Sequence, residues 1–129
     1  MNCFKLLIKL VIPFLFIINF SFGASPKILA VKFHADWCGS CKTITPLFKD
    51  LENKFDGKKV LFINLDFTNQ TKKNHSLLLA SGLNIQKIVK KNQGTGFVLL
   101  IDSKNKKVLK KLTKKDNLKQ MSFSISKHI

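Results

Sequence analysis

Residues 33–42, "FHADWCGSCK", decide the fold. Two cysteines, Cys38 and Cys41, stand either side of Gly39 and Ser40, behind Trp37 and ahead of Lys42. Upstream, "ILAVKFHA" (28–35) has strand composition and partial alternation: Leu29, Val31 and Phe33 share one face, Lys32 and His34 the other. Downstream, residues 40–55 read as a helix, because Ile44, Leu47, Phe48, Leu51 and Phe55 recur at helical spacing. Pro46 lies inside that stripe and predicts a kink. The cysteine pair therefore falls where a strand hands over to a helix.

That position has chemical consequences. The first N–H groups of a helix lack intrahelical acceptors, and the dipole is positive there, so both favour a thiolate. A thiolate is the nucleophilic form of cysteine, and helix starts lower the thiol pKa. Cys38 is thus the candidate attacking thiol. Cys41, one turn on and partly covered, is placed to resolve a mixed disulfide. A loop this short gains little from a disulfide as a staple.

Further along, "KVLFINLDF" (59–67) is a nearly continuous apolar run, as expected of a strand covered on both faces. "NHSLLLASG" (74–82) reads as a short helix ending at Gly82, and "IQKIVKKN" as a second short helical piece. "GFVLLID" (96–102) is a buried strand, and "SKNKK" turns the chain into "VLKKL" (108–112), its antiparallel partner. Thr113 is the candidate cap of a last helix, with Asp116 in its first turn and an apolar stripe of Leu118, Met121, Ile125 and Ile129. The order β-α-β-α-β-β-α predicts an α/β fold: a central mixed β-sheet flanked by helices, beginning with a parallel unit and its crossover helix.

The first 23 residues read differently. Lys5 and Lys9 precede the apolar run "LVIPFLFIINF", and Ser21 and Gly23 sit at the −3 and −1 positions of a cleavage site before Ala24. This is signal-peptide order. The run is short for a membrane span and contains Pro13. The expected division is a signal peptide over 1–23 and one domain over 24–129, exported to a periplasm-like compartment; retention as a membrane anchor is the alternative. Cys3 would leave with the peptide.

The 129 residues carry a formal charge of +16. Removing Lys5 and Lys9 leaves 16 − 2 = +14. All the basic residues are lysines, dispersed rather than gathered in an arginine and aromatic stripe, so no nucleic-acid partner is expected. Solvated faces account for most of them; weak attraction to an anionic membrane surface is the secondary reading.

Taken together, "ADWCGSCK" resembles the W-C-G-x-C-K active site of the thioredoxin superfamily. Pro46, five residues past the second cysteine, is similar to the proline in that family's active-site helix. Asp66, Phe67 and Thr68 after the central strand, and Thr95, Gly96 and Phe97 before the next, resemble small exported members. The resemblance implies the thioredoxin-like three-layer fold. It further implies a protein-disulfide oxidoreductase working through Cys38 and Cys41, supported by Trp37, Gly39, Ser40, Lys42 and Pro46. Protein thiol or disulfide clients, an upstream redox partner, no cofactor and a monomeric state go with it. Two departures stand out. "NQGTGFVLLID" lacks the family's cis-proline; Thr95 falls at that place, where a trans bond is expected. Lys32 occupies the strand position of the family's buried acid. The expectation is that it snorkels outward; buried beneath Cys41, it would favour the thiolate.

The cysteines admit three other readings. A zinc site needs more ligands than the pair supplies, and His34, His75 and His128 show no paired spacing, so no metal is expected, although His34 could approach Cys38. Inert core cysteines fit poorly beside Trp37, whose own reading is divided between packing under the loop and a platform for a partner chain. A thiol metallochaperone or an assembly factor for a cytochrome or copper site, using the same two cysteines, is the functional alternative. Asp36, His75 and His128 are expected to be exposed.

Overall fold

A computed structural model describes residues 24–129; the expected signal peptide, 1–23, lies outside the described residues. The first strand, β1 (Ile28–His34), leads into α1 (Gly39–Lys54), then β2 (Val60–Asp66), α2 (Gln70–Gly82), α3 (Gln86–Lys91), β3 (Phe97–Asp102), β4 (Val108–Thr113) and α4 (Leu118–Ser126). The four strands form one sheet in the order β2-β1-β3-β4. β1 runs parallel to β2 and antiparallel to β3, and β3 pairs antiparallel with β4. This is the expected mixed sheet with helices on both faces.

Two apolar layers sandwich the sheet. On one side Ile28 and Ala30 of β1, with Val98, Leu100 and Leu112, pack against Ile44, Phe48, Leu51 and Phe55 of the α1 segment and against Met121 and Ile125 of α4. On the other, Leu29, Val31 and Phe33 join Ile63, Leu65, Leu99 and Ile101 beneath Ala80 of α2 and Val89 of α3. The alternation read from β1 is therefore the alternation of the fold, and both faces of β1 are dry because the strand is central. Each fully buried large side chain contributes roughly 1.5–3 kcal/mol.

Three local expectations are corrected. β2 is an edge strand, not one covered on both faces: Leu61 and Asn64 are exposed, and only Ile63 and Leu65 are buried. Its apolar run was misleading because the strand's other neighbour is water. The second helix starts at Gln70, four residues before the predicted segment, because the Asn69 side chain accepts the Lys72 N–H as an N-cap. The last helix is capped by Asn117, not Thr113. Asn117 accepts from the Gln120 N–H and the Gln120 side chain accepts from the Asn117 N–H, a reciprocal capping box. Thr113 belongs to β4, and its N–H donates to the Asp116 carboxylate.

Candidate active site

Cys38 is itself the N-cap of α1, with extended backbone (φ −86°, ψ 116°). Its sulfur accepts the Cys41 N–H at 3.3 Å, so the side chain takes up one of the free donors at the helix start. The Cys38 N–H donates to Ala35 O at 3.1 Å, which closes the turn "ADWC" and fixes where the helix begins. Cys41 follows one turn later, and its thiol donates to Phe33 O at 3.7 Å. Both thiols are free. Cys38 is 8% exposed and Cys41 only 2%, more enclosed than its position in the sequence implies.

The two thiols are pushed in opposite directions. Burial raises Cys38, but hydrogen bonding with Cys41, the Thr95 side chain and the backbone N–H groups of Cys41 and Ser40 more than offsets this and leaves its pKa below the ordinary cysteine value. Burial raises Cys41, and the hydrogen bond and charge of Cys38 raise it further. The pair therefore divides into one thiol that ionises readily and one that holds its proton.

The loop facing the pair is set by Gly96. Its N–H donates to Phe33 O at 2.7 Å, and its φ is +85°. A Cβ here would stand 2.6 Å from Ser40 Cβ and 3.1 Å from the Cys38 sulfur. No side chain fits that space, so Gly96 lets the loop close on the thiol. Thr95 places its side chain by both cysteines. There is no cis peptide bond among the described residues, which agrees with the trans bond expected at Thr95. Gly96 stands in the "TGF" segment already singled out in the sequence, but its close approach to Ser40 and Cys38 depends on a left-handed backbone that glycine adopts without strain.

Lys32 does not snorkel outward. It is 7% exposed, with its ammonium 5.0 Å from the centroid of the Phe48 ring and donating to Thr45 Oγ1 at 3.4 Å. The cause is register: Lys32 lies on the sheet face that α1 covers, so its stem has no open route to water. Burial holds its pKa below the ordinary lysine value, opposed by the charges of Glu52, Cys41 and Asp66.

Trp37 is not a packing residue under the loop. It is 69% exposed, and its indole N–H donates to Thr68 O at 3.1 Å, which leaves the ring face free. Thr68 also accepts the Asp36 N–H, while its own N–H donates to Asp66. The "D-x-T" segment after β2 thus anchors the loop before Cys38. Ser76 accepts the Asp66 N–H and donates to Asp66 O, tying α2 to the same corner. Gly39, Lys42 and Pro46 are exposed on α1, and Ser40 is half-buried.

The His34 ring meets the Asp36 carboxylate at 3.1 Å. His34, Asp36 and Asp66 bring ligand atoms close together, but the Lys72 ammonium already bridges the two carboxylates at 3.3 and 3.1 Å. Asp36 and His75 are exposed as expected; His128 is half-buried against the last helix.

The family model described as Thioredoxin matches residues 19–121. Thioredoxin-like protein 1 of Schizosaccharomyces pombe is 40% identical over 58 residues, 45% of this chain and 18% of that protein. Thioredoxin H-type of Chlamydomonas reinhardtii is 50% identical over 40 residues, 31% of this chain and 34% of that protein. The chain thus spans about a third or less of the length of these relatives. A thioredoxin-like protein from Aeropyrum pernix superposes with a TM-score of 0.55 at 15% identity, over 81% of this chain and 79% of that one. A thioredoxin from Malassezia sympodialis gives 0.54 at 21% identity, over 81% and 79%. At these identities the structural likeness speaks to fold.

Proposed function

The chain belongs to the thioredoxin family, and on that premise we propose that it is a thiol–disulfide oxidoreductase of the cell envelope, exchanging disulfides with client proteins through Cys38 and Cys41. The observation that carries this reading is the asymmetry of the pair: an N-cap thiol lowered by four hydrogen-bonding groups beside a buried thiol that is raised.

The chemistry balances over two steps. The Cys38 thiolate attacks one sulfur of a client disulfide; a Cys38–client disulfide forms, the client S–S bond breaks, and the other client sulfur leaves as thiolate. Cys41 then loses its proton and attacks the Cys38 sulfur; the Cys38–Cys41 bond forms and the second client sulfur leaves. The client gains two electrons and, with solvent protons, two thiols. An upstream dithiol returns two electrons to the pair. Run in reverse, the same steps oxidise a client dithiol.

Burial of Cys41 keeps external thiols off the resolving sulfur, so only Cys38 meets clients. The exposed Trp37 ring gives the incoming chain an apolar surface beside Cys38. The envelope assignment rests on the charged, apolar and small-residue order of residues 1–23. A metallochaperone on the same thiols lacks a supporting observation; His34, the nearest histidine along the chain, is engaged with Asp36.

Reduction of insulin disulfides with dithiothreitol as electron source tests the activity. The wild type should accelerate it and Cys38→Ser should not. Cys41→Ser should accumulate mixed disulfides that Cys38→Ser does not form. Equal activity in wild type and Cys38→Ser would overturn the reading. Mass spectrometry of the envelope fraction should find Ala24 as the N-terminus; an intact Met1 would mean an anchored form.

A further inference from the structure

A groove of about 500 Å³ opens between the active-site loop and the helices that cover the far face of the sheet. Trp37 and Thr95, the residues flanking the cysteine pair, form its near end. Its apolar wall is Phe67, Leu77 and Val89. Two charged side chains line it, Lys73 of α2 and Lys90 of α3, and no acid does. Among the described residues neither lysine meets a carboxylate; the ion pairs involve Asp36 and Asp66, both taken up by Lys72. The groove therefore offers an apolar wall with two unneutralised cations, on the route a client chain would take to Cys38.

We infer that the preferred clients present their reactive cysteine beside an apolar side chain and acidic residues, the apolar group seated against Trp37 and Leu77 and the carboxylates facing Lys73 and Lys90. The inference rests on the oxidoreductase reading and deepens it by naming the client class. The physical basis is complementarity: charges at the edge of a site act mainly on the rate of productive encounter, and the effect weakens with salt. Lysine also suits a mobile or varied partner, since it attracts as a point charge without fixing a bidentate geometry.

The test uses short peptides in which one cysteine is disulfide-linked to thionitrobenzoate, flanked by one Leu and by Asp, Asn or Lys residues. Reduced protein releases the coloured thiolate from each. At low ionic strength the Asp peptide should react on the order of tenfold faster than the Lys peptide, with Asn between them. That ratio should shrink toward unity in Lys73→Gln/Lys90→Gln. It should persist in Lys104→Gln/Lys107→Gln, which removes two exposed lysines from the β3–β4 turn. A ratio equally reduced by both double variants, or unchanged in the groove variant, would assign the preference to overall charge and overturn the inference. Absence of discrimination in the wild type would do the same. Reaction of wild type with the free bis-thionitrobenzoate disulfide separates the two claims: no reaction there would sink the oxidoreductase reading itself.

Discussion

Gly96 and Ser40 are so close that a methyl group on Gly96 would stand 2.6 Å from Ser40 Cβ. The backbone of one loop thus lies directly against the first turn of α1, and the Cys38 sulfur borders the same gap at 3.1 Å. Gly96→Ala meets both this contact and a φ of +85°. It should cost on the order of 1–3 kcal/mol from backbone strain and slow disulfide exchange severalfold by displacing Cys38. Gly57→Ala is the matched control, because Gly57 also has positive φ, +69°, but open space at its Cβ. It should lose comparable stability with unchanged thiol reactivity. Denaturant melts and exchange rates on both variants decide; equal loss of reactivity in the two would refute the packing argument.

The thiols should separate by pH. Cys38 lies below the ordinary cysteine value and Cys41 above it. Iodoacetamide should therefore label Cys38 with a midpoint below that of a free cysteine, while Cys41 stays unlabelled until higher pH. Lowering pH through the Cys38 midpoint protonates the nucleophile and slows exchange in proportion. Thr95→Val removes a group that favours the thiolate and should move the Cys38 midpoint upward. Peptide mapping of the labelled sites checks all three statements.

Lys32→Met removes the buried charge and keeps the stem. While protonated, Lys32 favours a Cys41 thiolate, so at alkaline pH, where Cys41 begins to ionise, it stabilises the reduced pair and makes the native potential the more oxidising one. The variant's potential should be lower there by roughly 20 mV, since 30 mV corresponds to about 1.4 kcal/mol for two electrons. Equilibration with glutathione measures it, and an unchanged potential would remove Lys32 from the redox poise.

The same variant should be more stable near neutral pH by about 1 kcal/mol, because a buried cation over Phe48 carries a desolvation cost that methionine does not. The sign with pH follows from the lowered pKa. Between the folded value and the ordinary lysine value the unfolded chain binds more protons, so wild-type stability rises with pH across that window. Lys32→Met should flatten that rise. Melts from pH 7 upward compare the two.

Asn117→Ala breaks the capping box at the start of α4. The loss should be roughly 0.5–2 kcal/mol, with the exchange rate unchanged, because Met121 and Ile125 of α4 belong to the apolar layer of Ile44, Phe48 and Leu51, whereas Ala35, Cys38 and Cys41 form a separate cluster. Slower exchange at full stability would show that α4 communicates with the site.

Local pattern carried much of this molecule. The alternation in "ILAVKF" fixed which side chains of β1 face which layer, and the stripe from Ile44 to Phe55 fixed the buried face of α1, because period and burial are properties of neighbouring residues. The "WCGSC" spacing placed one sulfur on a helix start and the other one turn inside, since helix geometry alone sets that relation. Other features depended on partners distant in sequence. That β2 is an edge follows from strand order, which no local run encodes. Lys32 is buried because α1 lies over its face of the sheet, and Trp37 points outward because Thr68, beyond β2, holds its N–H. Gly96 matters only because folding brings it, 56 residues on from Ser40 by the chain, against the first turn of the helix. Contacts of that range are fixed by the packing of the whole sheet, and the tertiary structure alone could decide them.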